Sequence, residues 1–185
     1  AMPGVLKVLA VPGLRGATGG VAAIADTPWH AMQAARAVVV QWDHGPAAGL
    51  SSAGLREQLT QALARDDGFA YFKRGDAAAA LQGAARTLEA DYHAPLLSHA
   101  TLEPMNCTVQ YRPDAPSGPK AEVWAPTQVP GLARYVAAQA MGLDSEQVAI
   151  NVTLLGGGFG RRLEVDFVAQ AAHIARALPG APVQT

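Results

Sequence analysis

Residues 156–160 read Gly-Gly-Gly-Phe-Gly, and two arginines, Arg161 and Arg162, follow directly. A run this poor in Cβ atoms lets backbone come close to a ligand and turn its N–H groups outward, which is how loops hold anions. The spacing fits neither familiar phosphate-binding motif. A dinucleotide fingerprint needs a glycine three residues after Gly158, where Arg161 stands; a phosphate loop needs Gly-Lys-Ser/Thr, where Arg161, Arg162 and Leu163 stand. A guanidinium fork suits a cofactor phosphate. Two cations at a helix start, where the macrodipole disfavours them, tilt Arg161 and Arg162 towards a ligand role. A glycine-rich turn flanked by solvated arginines is the plainer alternative.

Other side chains offer less chemistry. His30, His44, His93, His99 and His173 form no pair at metal-ligand spacing, so no protein-held metal is expected. Cys107 is the only cysteine, which excludes an intrachain disulfide, a four-cysteine zinc site and a cysteine-ligated iron–sulfur cluster, and leaves the compartment open between cytoplasm and periplasm. Glu103 could do acid–base work, but a carboxylate that fixes a turn by hydrogen bonds is the preferred reading. Trp29, Trp42 and Trp124 are expected as core anchors rather than base-stacking platforms, because the net charge of −1 supplies no basic groove for nucleic acid. No apolar run reaches the ~18 residues of a membrane span.

The elements that must position these residues can be read from periodicity and caps. Apolar runs over residues 5–11 and 21–25 read as strands, and Asp26-Thr27-Pro28 starts a helix that carries Trp29, Met32, Ala35 and Arg36. Residues 37–43 read as a further strand. An Ala-rich middle follows, with helices from Ser51 or Ser52 to Arg65 and from Asp76 to Ala85. Strands return over 88–92, 108–112 and 121–124, the last two forming a hairpin around the turn-rich 113–119. A helix over 131–141 stopped by Gly142, a strand over 148–155 running into the glycines, and a helix containing Phe167, Val168, Ala171, Ile174, Ala175 and Leu178 complete the chain. Residues 183–185 begin something apolar without room to finish it.

Three separated stretches, in one order, resemble a single family: His99-Ala100-Thr101-Leu102-Glu103-Pro104-Met105-Asn106, then Val123-Trp124-Ala125-Pro126-Thr127-Gln128, then Leu154-Leu155 with the glycine loop, Arg161-Arg162 and Asp166-Phe167. They resemble the molybdenum subunit of the xanthine oxidase family, in its isoquinoline oxidoreductase and aldehyde dehydrogenase branch. Residues 21–43 resemble the end of that family's hammerhead domain. The resemblance implies an α+β fold, with a partial α/β hammerhead over 1–45, a helical connector over 46–86 and the first part of a molybdenum-cofactor-binding domain over 87–185. It implies a molybdenum–pterin cofactor, as molybdopterin cytosine dinucleotide, with no protein side chain on the metal.

By the same resemblance, Gln128 hydrogen-bonds a molybdenum ligand, and Gly157, Gly158, Phe159, Gly160, Arg161 and Arg162 contact the cofactor. An amide and backbone donors suit a negatively charged oxo-metal centre. The implied activity is hydroxylation of an aldehyde or N-heterocycle with water as oxygen source and electrons passed to an iron–sulfur subunit. Arg161-Arg162-Leu163 stands where the purine-oxidising branch has Gly-Lys-Glu, which argues against xanthine as substrate. The chain reads as a fragment that stops before the family's catalytic glutamate; alone it is expected to lack molybdenum and activity, and to self-associate. The alternatives are a non-catalytic binding or assembly module with an anion-binding glycine loop and an unrelated nucleotide-binding domain.

Overall fold

The computed structural model describes residues 2–14, 16–65 and 67–185. In chain order they form strands β1 (Val5–Val11) and β2 (Gly20–Ala25), helices α1 (Pro28–Ala37), α2 (Ser52–Leu63) and α3 (Ala77–Gln82), strands β3 (Thr108–Tyr111) and β4 (Ala121–Ala125), helix α4 (Pro130–Met141), strand β5 (Val148–Val152), helix α5 (Asp166–Ala175) and strand β6 (Pro182–Gln184). The fold is α+β, as the sequence implies. It divides into two compact units, one of Ala1–Val39 with His99–Thr185, the other of Val40–Ser98.

The first unit holds the core. Its larger sheet has the order β5-β4-β3-β6, with β4 and β5 parallel and β3 antiparallel to both β4 and β6. β4 alternates strictly, with Ala121, Val123 and Ala125 fully buried, as a strand with one covered face must. α4 connects β4 to β5 and α5 packs beside it; both helices bury small residues, Ala133, Ala137 and Ala140 on one, Ala171, Ala172 and Ala175 on the other. Alanine at these positions lets the helix backbones approach closely.

β1 and β2 pair as a separate antiparallel sheet on which α1 lies. The Thr27 hydroxyl caps α1 by accepting the His30 N–H at 3.2 Å. The helix turns Ala34 inward and leaves Trp29 and Met32 exposed. Trp29 and Trp42 are 62% and 56% exposed, so neither is the core anchor expected of it.

In the second unit the Ser51 hydroxyl caps α2 and the Asp76 carboxylate caps α3. Neither helix buries a residue. Two expected strands are absent: residues 37–43 and 88–92 carry no strand, Ala37 instead ending α1, and Val39, Leu88 and Tyr92 are almost fully exposed. A strand exists only when a neighbour takes its hydrogen bonds, and neither stretch has one. The final residues do find a neighbour. β6 pairs with β3, and Thr185 exchanges backbone hydrogen bonds with Cys107 at 2.9 and 3.2 Å.

Candidate functional site

Because β4 and β5 are adjacent and parallel, the segments leaving their carboxyl ends emerge on the same side. After β4 comes Pro126-Thr127-Gln128; after β5 comes the glycine loop. Carboxyl ends of parallel strands are where α/β sheets open a crevice for ligands.

The two segments meet at Gly158. A Cβ on that residue would lie 2.7 Å from Gln128 Oε1 and 2.9 Å from its Cδ, so a side chain there would push the glutamine out of its present position. Gln128 is exposed, and among the described residues its side-chain amide bonds to no protein group. The loop itself is contorted: Gly157 and Gly160 have φ of +101° and +87°, and Phe159 adopts φ of +48°. A non-glycine residue in that region carries strain of about 1 kcal/mol or more. Among the described residues, no protein acceptor takes the N–H of Gly157, Gly158, Phe159 or Gly160. These four backbone donors and the Gln128 amide are left available to a ligand. His99 lies alongside, its ring 3.9 Å from where a Gly160 Cβ would be.

Beneath the loop sits a buried cation. Arg162 is fully buried, and its guanidinium donates to Gly157 O at 2.7 Å, Pro126 O at 3.2 Å, Glu103 O at 3.0 Å and Glu103 Oε2 at 2.7 Å. Its own carbonyl accepts the Gln128 N–H at 3.1 Å and the Thr127 hydroxyl at 3.3 Å. Glu103 also accepts the Gly156 N–H at 2.9 Å and an Asn106 amide N–H at 2.9 Å. The Gly156 N–H first, then Asn106 and the Arg162 charge hold its carboxyl below the usual range, against some desolvation. This is the turn-fixing role favoured for Glu103, in which an ionised acceptor is required throughout.

Arg161 makes a two-pronged ion pair with Asp166 at 2.9 and 2.8 Å. The sequence reading counted both arginines among cofactor contacts; in the structure both guanidinium groups end on protein acceptors. The signal for this was present in part, because Asp166 stands five residues after Arg161 and Glu103 belongs to a quoted motif. The main-chain acceptors of Arg162 leave no trace in side-chain patterning.

No three His, Cys, Asp or Glu side chains converge as a metal site among the described residues. Cys107 is buried in the core, and burial pushes its thiol up to about 12, which keeps it a neutral packing group. Among the described residues no helix is long and apolar enough to cross a membrane. The groups without protein partners at this end of the sheet are the Gln128 amide and the N–H groups of residues 157–160, which are of the kind that suits a negatively charged group.

The family model for the molybdopterin cofactor-binding domain matches residues 60–185, and the chain belongs to that family. Isoquinoline 1-oxidoreductase subunit beta of Brevundimonas diminuta is 37% identical over 83 residues, covering 45% of this chain and 10% of that protein. The membrane-bound aldehyde dehydrogenase [pyrroloquinoline-quinone] of Gluconacetobacter polyoxogenes is 28% identical over 90% of this chain and 21% of its own length. The xanthine dehydrogenase molybdenum-binding subunit of Escherichia coli O157:H7 is 25% identical over 83% of this chain and 20% of its own length. The chain thus spans about a fifth or less of these relatives. Quinoline 2-oxidoreductase from Pseudomonas putida 86 shares the fold over the whole chain, with a TM-score of 0.69 at 19% identity and 27% coverage of that structure.

Proposed function

We propose that this chain is part of the cofactor-bearing subunit of a molybdenum hydroxylase that oxidises an aldehyde or N-heterocycle, and that it supplies one side of the molybdopterin cage. The observation that carries this reading is the meeting of Gln128 with the free N–H groups of Gly157, Gly158, Phe159 and Gly160. When bound, a molybdenum–pterin, here as molybdopterin cytosine dinucleotide, supplies the redox metal and the oxygen ligand derived from water. Gln128 and the N–H groups of Gly157, Gly158, Phe159 and Gly160 would hold that group, offering amide and backbone donors to its negative charge. Amide donors hold the charge without changing protonation, so they are set before the reaction begins. Glu103 is committed to three donors and moves no proton.

Residues 1–45 are assigned to the end of a hammerhead domain, 46–86 to a connector and 87–185 to the first part of the cofactor domain. Electrons leave through an iron–sulfur partner subunit. The reading is tested in the full-length polypeptide by measuring molybdenum content and turnover together in Gln128→Ala. Loss of one preorganised donor lowers turnover per metal by about 10²–10³, with metal retained. Unchanged turnover per metal would put the site elsewhere.

A further inference from the structure

We propose that Arg162 is a positioning residue that sets the register between Gln128 and the glycine loop, with Glu103 as its counter-charge. Three chain segments far apart in sequence meet on this one residue. Its side chain reaches the carbonyls of Gly157, Pro126 and Glu103 and the Glu103 carboxylate, and its own carbonyl takes the Gln128 N–H and the Thr127 hydroxyl. The loop is thereby held from both sides: Gly157 by the guanidinium, Gly156 by the Glu103 carboxylate that the same guanidinium pairs with. Glu103 N–H also donates to Gly156 O at 3.1 Å, which closes the connection.

The arrangement requires arginine. A lysine carries a compact ammonium with three donors and cannot point along three divergent directions in a plane, whereas the guanidinium fork does so while staying charged. Arg162 is fully buried and Glu103 is partly so, so removing either charge strands the other. Phe159 has a strained φ, and the loop's own bonds are confined to its exit, where Arg161 N–H donates to Gly158 O at 2.8 Å and Leu163 N–H to Gly160 O at 3.1 Å. Arg162 supplies the external constraint. Its consequence for turnover rests on the reading of the site given above; its consequence for the loop does not.

The experiment therefore has two arms. In the 185-residue chain, amide exchange is followed by NMR at Gly156, Glu103, Gln128 and Arg161, whose N–H groups are bonded around Arg162, and in α4 and α5 as internal reference. Arg162→Lys and the milder Glu103→Gln are each expected to speed exchange at Gly156 and Glu103 by about tenfold or more, the effect of losing a charge-assisted bond. Exchange in α4 and α5 stays unchanged. Native exchange at these amides in both variants would overturn the proposal, and so would loss of protection throughout α4 and α5 in Glu103→Gln, which would make the pair a global stability element.

In the full-length polypeptide, turnover per molybdenum and KM are measured for Arg162→Lys. A fall in turnover per metal at unchanged KM supports positioning. Loosened amides with unchanged turnover per metal would overturn the positioning role while leaving the clamp intact. Absence of molybdenum from the folded wild-type protein would refute the hydroxylase reading alone.

Discussion

Glu103 shows how one ionised side chain can carry an acid limit for a whole site. Its folded pKa lies below the ordinary carboxylate value, chiefly because the Gly156 N–H and Asn106 donate to the charged form. Asp166 is lowered as well: burial raises it, and the hydrogen bond and charge of Arg161 more than reverse this. A depressed folded pKa means stabilisation that is complete above about pH 4 and lost as pH falls through the lowered values. Thermal melts between pH 7 and pH 2 are expected to show a fall in Tm at the acid end, and the Glu103→Gln, Asp166→Asn double variant to start less stable and show a shallower fall. Equal slopes would mean that other carboxylates dominate.

His173 contributes a second step of the same sign at higher pH. Desolvation first and the Arg176 charge second lower its pKa, so keeping it neutral in the fold costs stability as pH falls below about 6.5 and costs none above. Its Nε2 is buried without a hydrogen-bond partner among the described residues. Replacing a stranded polar group by an apolar one of similar size is stabilising by about 1 kcal/mol; His173→Leu should raise Tm and remove the step near neutral pH, which calorimetry at pH 5.5 and 7.5 can read. At this scale the sequence was legible where a side chain caps a helix: Thr27, Ser51 and Asp76 act as the composition implies. It was opaque for Arg162, because a guanidinium bonded to carbonyls looks in sequence like any solvated arginine.

Among the elements, the pair β4 and β5 with α4 between them does most to build the site, because parallel neighbours release their following segments at one end. α4 must stop sharply for the chain to return to β5. Gly142 does this in the left-handed conformation, with φ of 69° and ψ of 37°, while the Leu143 N–H closes on Ala138 O at 2.9 Å. Gly142→Ala is expected to cost about 1 kcal/mol through that φ, measurable by urea denaturation; no loss would mean that the helix end relaxes. Ala172 on α5 is fully buried in the core, so Ala172→Leu should cost about 1–3 kcal/mol by overpacking. Helix periodicity and the Gly142 stop made α4 and α5 legible in the sequence. The β-branched run at 38–40 misled, because local propensity says nothing about whether a partner strand is near, and Val39 is 98% exposed. β6 went unread because three residues give no period, and its reality depends wholly on β3.

Over the whole molecule, apolar burial is uneven. The buried core lies within the first unit, while Phe69, Tyr71, Phe72, Leu96 and Leu97 in the second are at least 80% exposed. Surface of this kind self-associates or recruits a partner, so light scattering on the chain should show mass growing with concentration; a monomer at all concentrations would contradict this. Limited proteolysis is expected to cut within residues 40–98 before α4 or α5, since exchange and cleavage follow sparse packing.

The central claim joins family, fold and site: the segments after β4 and β5 form one wall of a molybdopterin cage. Its most direct test is molybdenum content by mass spectrometry of the full-length polypeptide, wild type beside Gly160→Val. At Gly160 the φ of +87° penalises any side chain, so the loop cannot keep its donors in place. The account predicts stoichiometric molybdenum in the wild type and a large loss of metal in the folded variant. A folded wild type without molybdenum, or equal metal in both proteins, would contradict it.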